Sequence, residues 1–278
     1  MIIHDIYSED SGSRNTAQSK LSILIGMDSF GYTLQYAESG LYGFRHQQWS
    51  GPPATVLPKM TQALQQDNRL AEHYAGVAIG FHGPRYTAIP NRLYRAGEER
   101  TYLEHLTRVA PSDTVRTDYL PGVGAHLTYL IPQPWQAVLQ RLFPQGEVRH
   151  LSTLFINYLS NRYFSGSGQQ VFLHLDGGQV YLLYFREGQL IFHNSFFTPT
   201  AKDVLYFVLL TFEQFDIDQV STPVHLSGAA ETADERVGLL QRYLGQLVLQ
   251  KMPYTLALAE PLRQLPPHIY YLHALNLL

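Results

Sequence analysis

One pattern limits what this chain can fold into. Three strand-like runs, a helix and a further strand occur in that order, and then occur again. The first set is Leu21 to Met27, Tyr32 to Ala37, Tyr42 to Trp49, a helix over Ala54 to Asn68, and the strand Gly76 to Phe81. The second is Val171 to Leu175, Val180 to Phe185, Gln189 to Phe196, a helix from Thr198-Pro199-Thr200 to about Phe215, and the strand Pro223 to Leu226. Apolar alternation marks the strands, and Leu57, Met60, Ala63 and Leu64 mark one face of the first helix. The copies start near residues 21 and 171, about half the chain apart, and share no visible identity. Two α/β halves around a cleft follow from this order. The alternative is a single α+β domain with another strand order.

The remaining segments fit around that frame. Ile2 to Tyr7 reads as a leading strand, and residues 8 to 20 as a polar loop. Between 85 and 150 the elements shorten: a strand to Ile89, a helix over Glu98 to Val109, strands at Thr114 to Leu120 and His126 to Ile131, and a helix from Pro134 to Leu142. A helix over Leu151 to Tyr163 precedes the break FSGSGQQ. A helix from Thr232 to Leu249, a strand near Tyr254 to Leu258 and a final apolar helix after Pro266-Pro267 complete the chain. The predicted division is 1–163, with a small subdomain inserted at about 85–150, and 164–278. The helix carrying Tyr206, Phe207 and Phe212 is apolar enough to predict burial all round. If exposed, the final helix, Ile269 to Leu278, would suggest self-association.

Composition excludes several functions. Net charge is −3, with 16 Arg and 4 Lys scattered, so no basic stripe tracks nucleic acid. With no cysteine there is neither a disulfide nor a thiolate site. The longest apolar run, Val204 to Phe212, is too short to span a bilayer, which takes about 20 helical residues. MIIHDIYSED lacks the parts of a signal peptide. These features predict a cytoplasmic protein. The histidines have no metal-ligand spacing, and His174 and His225 read as hydrogen-bonded strand residues. No Gly-x-Ser-x-Gly or Gly-x-x-x-x-Gly-Lys motif occurs.

The duplicated order resembles the actin-like ATPase (ribonuclease H-like) architecture of actin, the Hsp70 chaperones and sugar kinases. LHLDGGQVYLLYFREGQLIFHNSF, a helix and VHLSGAA resemble the second halves of its pilus-assembly and cell-division members. LSILIGMDSFGYTLQY, PRYTAIPNRLY and LIFHNSFFTPTAKDVLYFVLLTFEQFDID are similar to an uncharacterised Bacteroidetes family, domain of unknown function 3822. That resemblance implies an actin-like fold and no established activity.

In active members two glycine-rich hairpin turns offer backbone N–H groups to the phosphates, and aspartates handle Mg²⁺ or the attacking water. Here Ile25-Gly26-Met27-Asp28 resembles the start of the first phosphate loop, but Phe30 takes the place of the expected glycine, with Gly31 one later and Tyr32 after it. Asp28-Ser29-Phe30-Gly31 is predicted to be a plain hairpin turn. At the second loop the family aspartate falls on His174 and Asp176 on a glycine. A slide of two puts Asp176 in the aspartate place, but Gln179 and Val180 then replace the remaining glycine and hydroxyl residues. Asp176-Gly177-Gly178 is itself a strong hairpin signal. Leu226-Ser227-Gly228-Ala229-Ala230 resembles the adenosine-side turn. The candidate nucleotide-binding residues are thus Asp28, Gly31, Asp176, Gly177, Gly178, Ser227 and Gly228. No catalytic or metal residue is assigned.

Two functional expectations follow. One is a non-catalytic actin-like scaffold with degenerate phosphate loops, no cofactor, and a protein partner or itself to bind. The alternative is an ATP-binding protein or slow ATPase using Mg-ATP in the cleft. Sugar-kinase-like phosphotransfer has no assignable catalytic aspartate. No nucleic-acid partner and no membrane insertion are expected.

Overall fold

The computed structural model describes residues 2–8, 15–36, 40–163, 167–231, 234–252 and 256–277. In chain order its elements begin with β1 (Ile2–Tyr7), β2 (Ser19–Ile25), β3 (Ser29–Tyr36), β4 (Gly40–Gln48), α1 (Pro53–Gln66) and β5 (Gly76–Phe81). Then come β6 (Tyr86–Pro90), α2 (Glu99–Glu104), β7 (Thr114–Leu120), β8 (Ala125–Ile131), α3 (Gln133–Leu142), β9 (Glu147–His150) and α4 (Leu151–Tyr163). The second half has β10 (Gln169–Asp176), β11 (Gln179–Arg186), β12 (Gln189–Phe197), α5 (Ala201–Phe215), β13 (Val224–Gly228), α6 (Glu235–Tyr243), β14 (Leu247–Leu249), α7 (Glu260–Arg263) and α8 (Tyr271–Leu275).

The two large sheets repeat one topology. The first runs β1-β4-β3-β2-β5-β9, and the second β12-β11-β10-β13-β14. In each, three meandering strands pair antiparallel and two later strands join parallel. Only β1 is extra, added outside β4. The central strands β2, β10 and β11 are nearly all buried, because helices or the other half cover both faces. Each fully buried Leu, Ile or Phe contributes about 1.5–3 kcal/mol relative to exposure. A separate three-stranded sheet, β6-β8-β7, lies between β5 and β9 in the chain. The chain rejoins the first sheet at β9, a strand the sequence pattern does not reveal in only four residues.

Most strand and helix expectations hold within a few residues. Phe30 and Gly31 are not in a turn. They pair with Ile25 and Leu24 inside β3, and the bend is at 26–28, where the Gly26 N–H donates to Ser29 O. Pro199 precedes α5, and Thr200 is its N-cap, in a capping box with Asp203. The helix expected over Thr232 to Leu249 is only α6, Glu235–Tyr243, and the expected start at Thr232 lies outside the described residues. A Cβ at Gly245 would collide with Val220 backbone, and the chain beyond it is β14. α5 is not buried all round: Val204, Val208 and Phe212 face the core, but Tyr206 is 59% exposed. The expected strand near Tyr254 to Leu258 falls partly outside the described residues, and Leu258 makes an isolated bridge to Leu41.

The final helix expected after Pro266-Pro267 is a short 3-10 turn, Pro267–Tyr270, followed by α8. Ile269 to Leu277 is buried, so this surface offers nothing to a second copy. α8 packs against β2, β3, α4 and β13, touching both large sheets. The Asn276 side-chain amide donates to Ser22 Oγ at 2.9 Å and Ala78 O at 3.0 Å, which anchors the segment on the first sheet.

Candidate functional site

The two turns that would hold phosphates lie at the junction of the large sheets, and each is engaged by the other. Asp176 ends β10. Its Oδ2 is 2.7 Å from His82 Nδ1, and its Oδ1 is 3.3 Å from His46 Nε2. Ser29 Oγ donates to both oxygens at 3.1 and 3.2 Å. His46 is on β4, His82 follows β5, and Ser29 opens β3, so three elements of the first sheet converge on one carboxylate of the second.

The reverse contact uses Asp28. Its Oδ2 accepts from the Gly178 backbone N–H at 3.1 Å. Gly177 has φ +56°, which favours glycine, and a Cβ there would collide with the Asp28 carboxylate. The Asp28 backbone is fixed by the Trp49 N–H, which donates to its carbonyl at 2.8 Å. A carboxylate of the chain therefore occupies the position where a glycine-rich turn offers its N–H to an anion.

Charges follow from this packing. Burial pushes the Asp176 carboxyl up, but His82 and His46 outweigh it and hold the group well below the usual carboxylate range. Burial and the nearby Asp176 charge push Asp28 up, against the opposing Gly178 N–H. Burial lowers His174 to about 3, against the attraction of Asp176. His273 is also pushed well below the ordinary histidine value, first by burial and then by His46.

The third turn is equally engaged. His174 Nδ1 is 3.0 Å from Ser227 Oγ, which also lies 3.2 Å from Leu173 O. Gly228 has φ +98°, and a Cβ would strike the Leu175 carbonyl, so β13 approaches β10 more closely than a side chain allows. Just beyond, Ala230 O bonds to His268 Nε2 at 2.6 Å, and Ala229 O accepts from the Arg236 guanidinium at 2.6 Å. A Cβ at Gly31 would lie 2.8 Å from the His273 ring, so this glycine admits the C-terminal helix. Between Gly31, His46, His174, Asp176, Gly228 and His273 the remaining cavity is about 10 Å³, room for roughly one water.

The structure thus brings all seven residues singled out from the sequence to the junction. It adds Ser29, His46, His82, Arg236, His268 and His273, which sequence spacing does not connect. The one signal for His46 is strand parity, since it alternates inward with Phe44 on β4. Among the described residues no group of three or more His, Asp or Glu is arranged to hold a metal ion. No helix of the described residues is long and apolar enough to cross a membrane.

Residues 10–247 match the family described as "Protein of unknown function (DUF3822)". The chain belongs to this family. No curated protein matches it. Among solved structures, a Bacteroides thetaiotaomicron protein described as having an actin-like ATPase fold and unknown function superposes with a TM-score of 0.75 at 18% identity, covering 95% of this chain and 97% of that one. A structure of the PilM-PilN type IV pilus biogenesis complex superposes with a TM-score of 0.60 at 13% identity, covering 95% and 98%. At these identities the likeness shows the fold: this DUF3822 chain is an α/β protein of actin-like ATPase architecture.

Proposed function

We propose that this DUF3822 protein is a non-catalytic actin-like body that works by binding another protein. Its two similar halves, 1–163 and 164–278, close on a cleft that takes no nucleotide, and the small sheet is an insertion in the first half. The observation that carries this reading is the Asp28 carboxylate on the Gly178 N–H. It fills the anion position of the second phosphate turn with a group of the same charge sign as a phosphate. Asp176 is committed to His46, His82 and Ser29, and Ser227 to His174, so the residues present do not fit a triphosphate with its Mg²⁺. PilM, which shares the fold, is known in complex with PilN, and that supports a protein partner by analogy.

The alternative, an ATP-binding protein or slow ATPase, requires Asp28 to withdraw and the halves to part. A thermal-shift titration with millimolar Mg-ATP separates the two. A ligand that binds only the folded state at a hundredfold excess over its Kd adds about 2.7 kcal/mol of stability. The expected result is no shift. A shift of several degrees that saturates with Mg-ATP, and not with Mg²⁺ alone, overturns the reading.

A further inference from the structure

The second half carries most of the exposed large apolar side chains among the described residues, and a group of them borders one groove on α5. Tyr206 is 59% and Leu210 42% exposed, on the face opposite the core residues Val204 and Val208. With Leu209, Glu213, Asp216 and Gln219 they line an open groove of about 490 Å³ along the C-terminal half of the helix. Among the described residues its charged lining groups are the two acids.

Three features here run against local preference. The negative end of a helix dipole favours cations, yet the last turn of α5 has Glu213 and no basic residue, and Asp216 is its C-cap. Asp216 has φ +53°, a left-handed position that glycine usually takes. Tyr206 and Leu210 face solvent on a helix whose other face satisfies the core. Departures of this kind at one place mark a functional surface rather than a folding requirement.

We propose that this groove docks a basic amphipathic segment of a partner protein. Its apolar side chains seat on Tyr206, Leu209 and Leu210, and its Lys or Arg groups meet Glu213, Asp216 and the negative end of the α5 dipole. Asp218, which accepts from the Val220 and Ser221 N–H groups just beyond, adds a third negative charge nearby. The same acids disfavour an anionic membrane surface. The inference extends the protein-binding reading above and names the site. A nucleotide shift would remove that reading and leave the groove untouched, whereas a null result below removes the groove alone.

The test uses the full chain and a fluorescein-labelled 18-residue helical peptide, with Leu at i, i+3, i+4 and i+7 and Lys and Arg flanking that stripe. A second peptide replaces every Lys and Arg by Glu. Fluorescence anisotropy is expected to show saturable binding of the basic peptide, weakening with salt, and at least tenfold weaker binding of the acidic one. Leu210→Ser is expected to weaken the basic peptide about tenfold, and Glu213→Gln with Asp216→Asn several-fold. Tyr119→Ser, on the small sheet, is expected to change nothing. Unaltered melting of each variant checks that it is folded. No binding, equal binding of both peptides, or indifference to Leu210→Ser overturns the proposal. So does a dimer seen by light scattering, or binding to phosphatidylglycerol vesicles, that Leu210→Ser abolishes, since either assigns the groove to another occupant.

Discussion

At the residue scale, Asp28 and Asp176 are two half-buried carboxylates with opposite electrostatic settings. Asp176 faces two histidines and a hydroxyl. Asp28 faces one N–H and the charge of Asp176. Removing Asp176 leaves His46, His82 and the Ser29 hydroxyl without their acceptor, and each buried polar group left unsatisfied costs about 1–3 kcal/mol. Asp176→Ala is therefore expected to lower the urea midpoint sharply. Asp28→Asn keeps an oxygen for the Gly178 N–H and removes the like charge, so it is expected to be neutral or slightly stabilising. Asp28→Ala loses the acceptor and is expected to cost about 1–3 kcal/mol. Urea denaturation of the three variants tests the order, and Asp28→Asn less stable than Asp28→Ala would contradict this account of the junction. Acid sensitivity follows from the histidines. Burial holds His150, His174 and His193 at about 3 and His225 at about 4 in the folded protein. An unfolded histidine titrates near 6.5. Below about pH 6.5 the unfolded chain binds protons that the folded chain does not, so stability falls as pH drops from there toward 4. Asp176 acts in the same direction at lower pH, since its contribution is lost only as pH falls through a depressed value. Urea midpoints between pH 7.5 and 5 should decline, with a flatter slope in His193→Asn.

At the element scale, two helix starts contrast. α5 carries its own cap: Thr200 Oγ1 accepts from the Asp203 N–H at 3.3 Å, and the Asp203 carboxylate accepts from the Thr200 N–H at 2.9 Å. Thr200→Ala is expected to cost about 1 kcal/mol. α4 borrows its cap. Asp118, on β7, accepts from the His150 N–H at 2.8 Å and from Thr153 Oγ1 at 2.7 Å. Its loss leaves a helix terminus and the Thr153 hydroxyl short of an acceptor, so Asp118→Ala is expected to cost about 2 kcal/mol, more than Thr200→Ala. Equal losses in chemical denaturation would mean that the small sheet does not support α4. The first cap is readable from Thr-Pro-Thr-Ala-Lys-Asp. The second joins residues 32 apart, so no local motif announces it.

At the scale of the whole molecule, the C-terminal segment bridges the two large sheets. Tyr270, Tyr271, Leu272 and Ala274 are almost wholly buried, and His268 and His273 meet the third turn and Gly31. Deleting residues 264–278 uncovers the faces of β2, β3 and β13 that this segment covers. The expected outcome is an aggregating or unfolded product rather than an opened, nucleotide-binding protein. Circular dichroism and light scattering of the truncated chain check this, and a folded monomer that gains Mg-ATP binding would contradict it.

The sequence by itself determined the repeated order of three meandering strands, a helix and a strand, though not β9 or β14. Strand alternation, glycine turns and helix periodicity are short-range signals, set by backbone sterics and by which face of each element must leave water. It also located the Asp176-Gly177-Gly178 turn and Gly228, because glycines at tight bends are legible locally, but it set the first bend two residues too late. It misjudged the exposure of α5, because an apolar helix looks alike whether its second face meets core or solvent. Only the tertiary structure decided that Asp28 fills the second turn, that His46 and His82 hold Asp176, and that the C-terminal segment closes the junction. Those contacts join residues far apart in the chain, and their strength depends on the desolvation that folding itself creates.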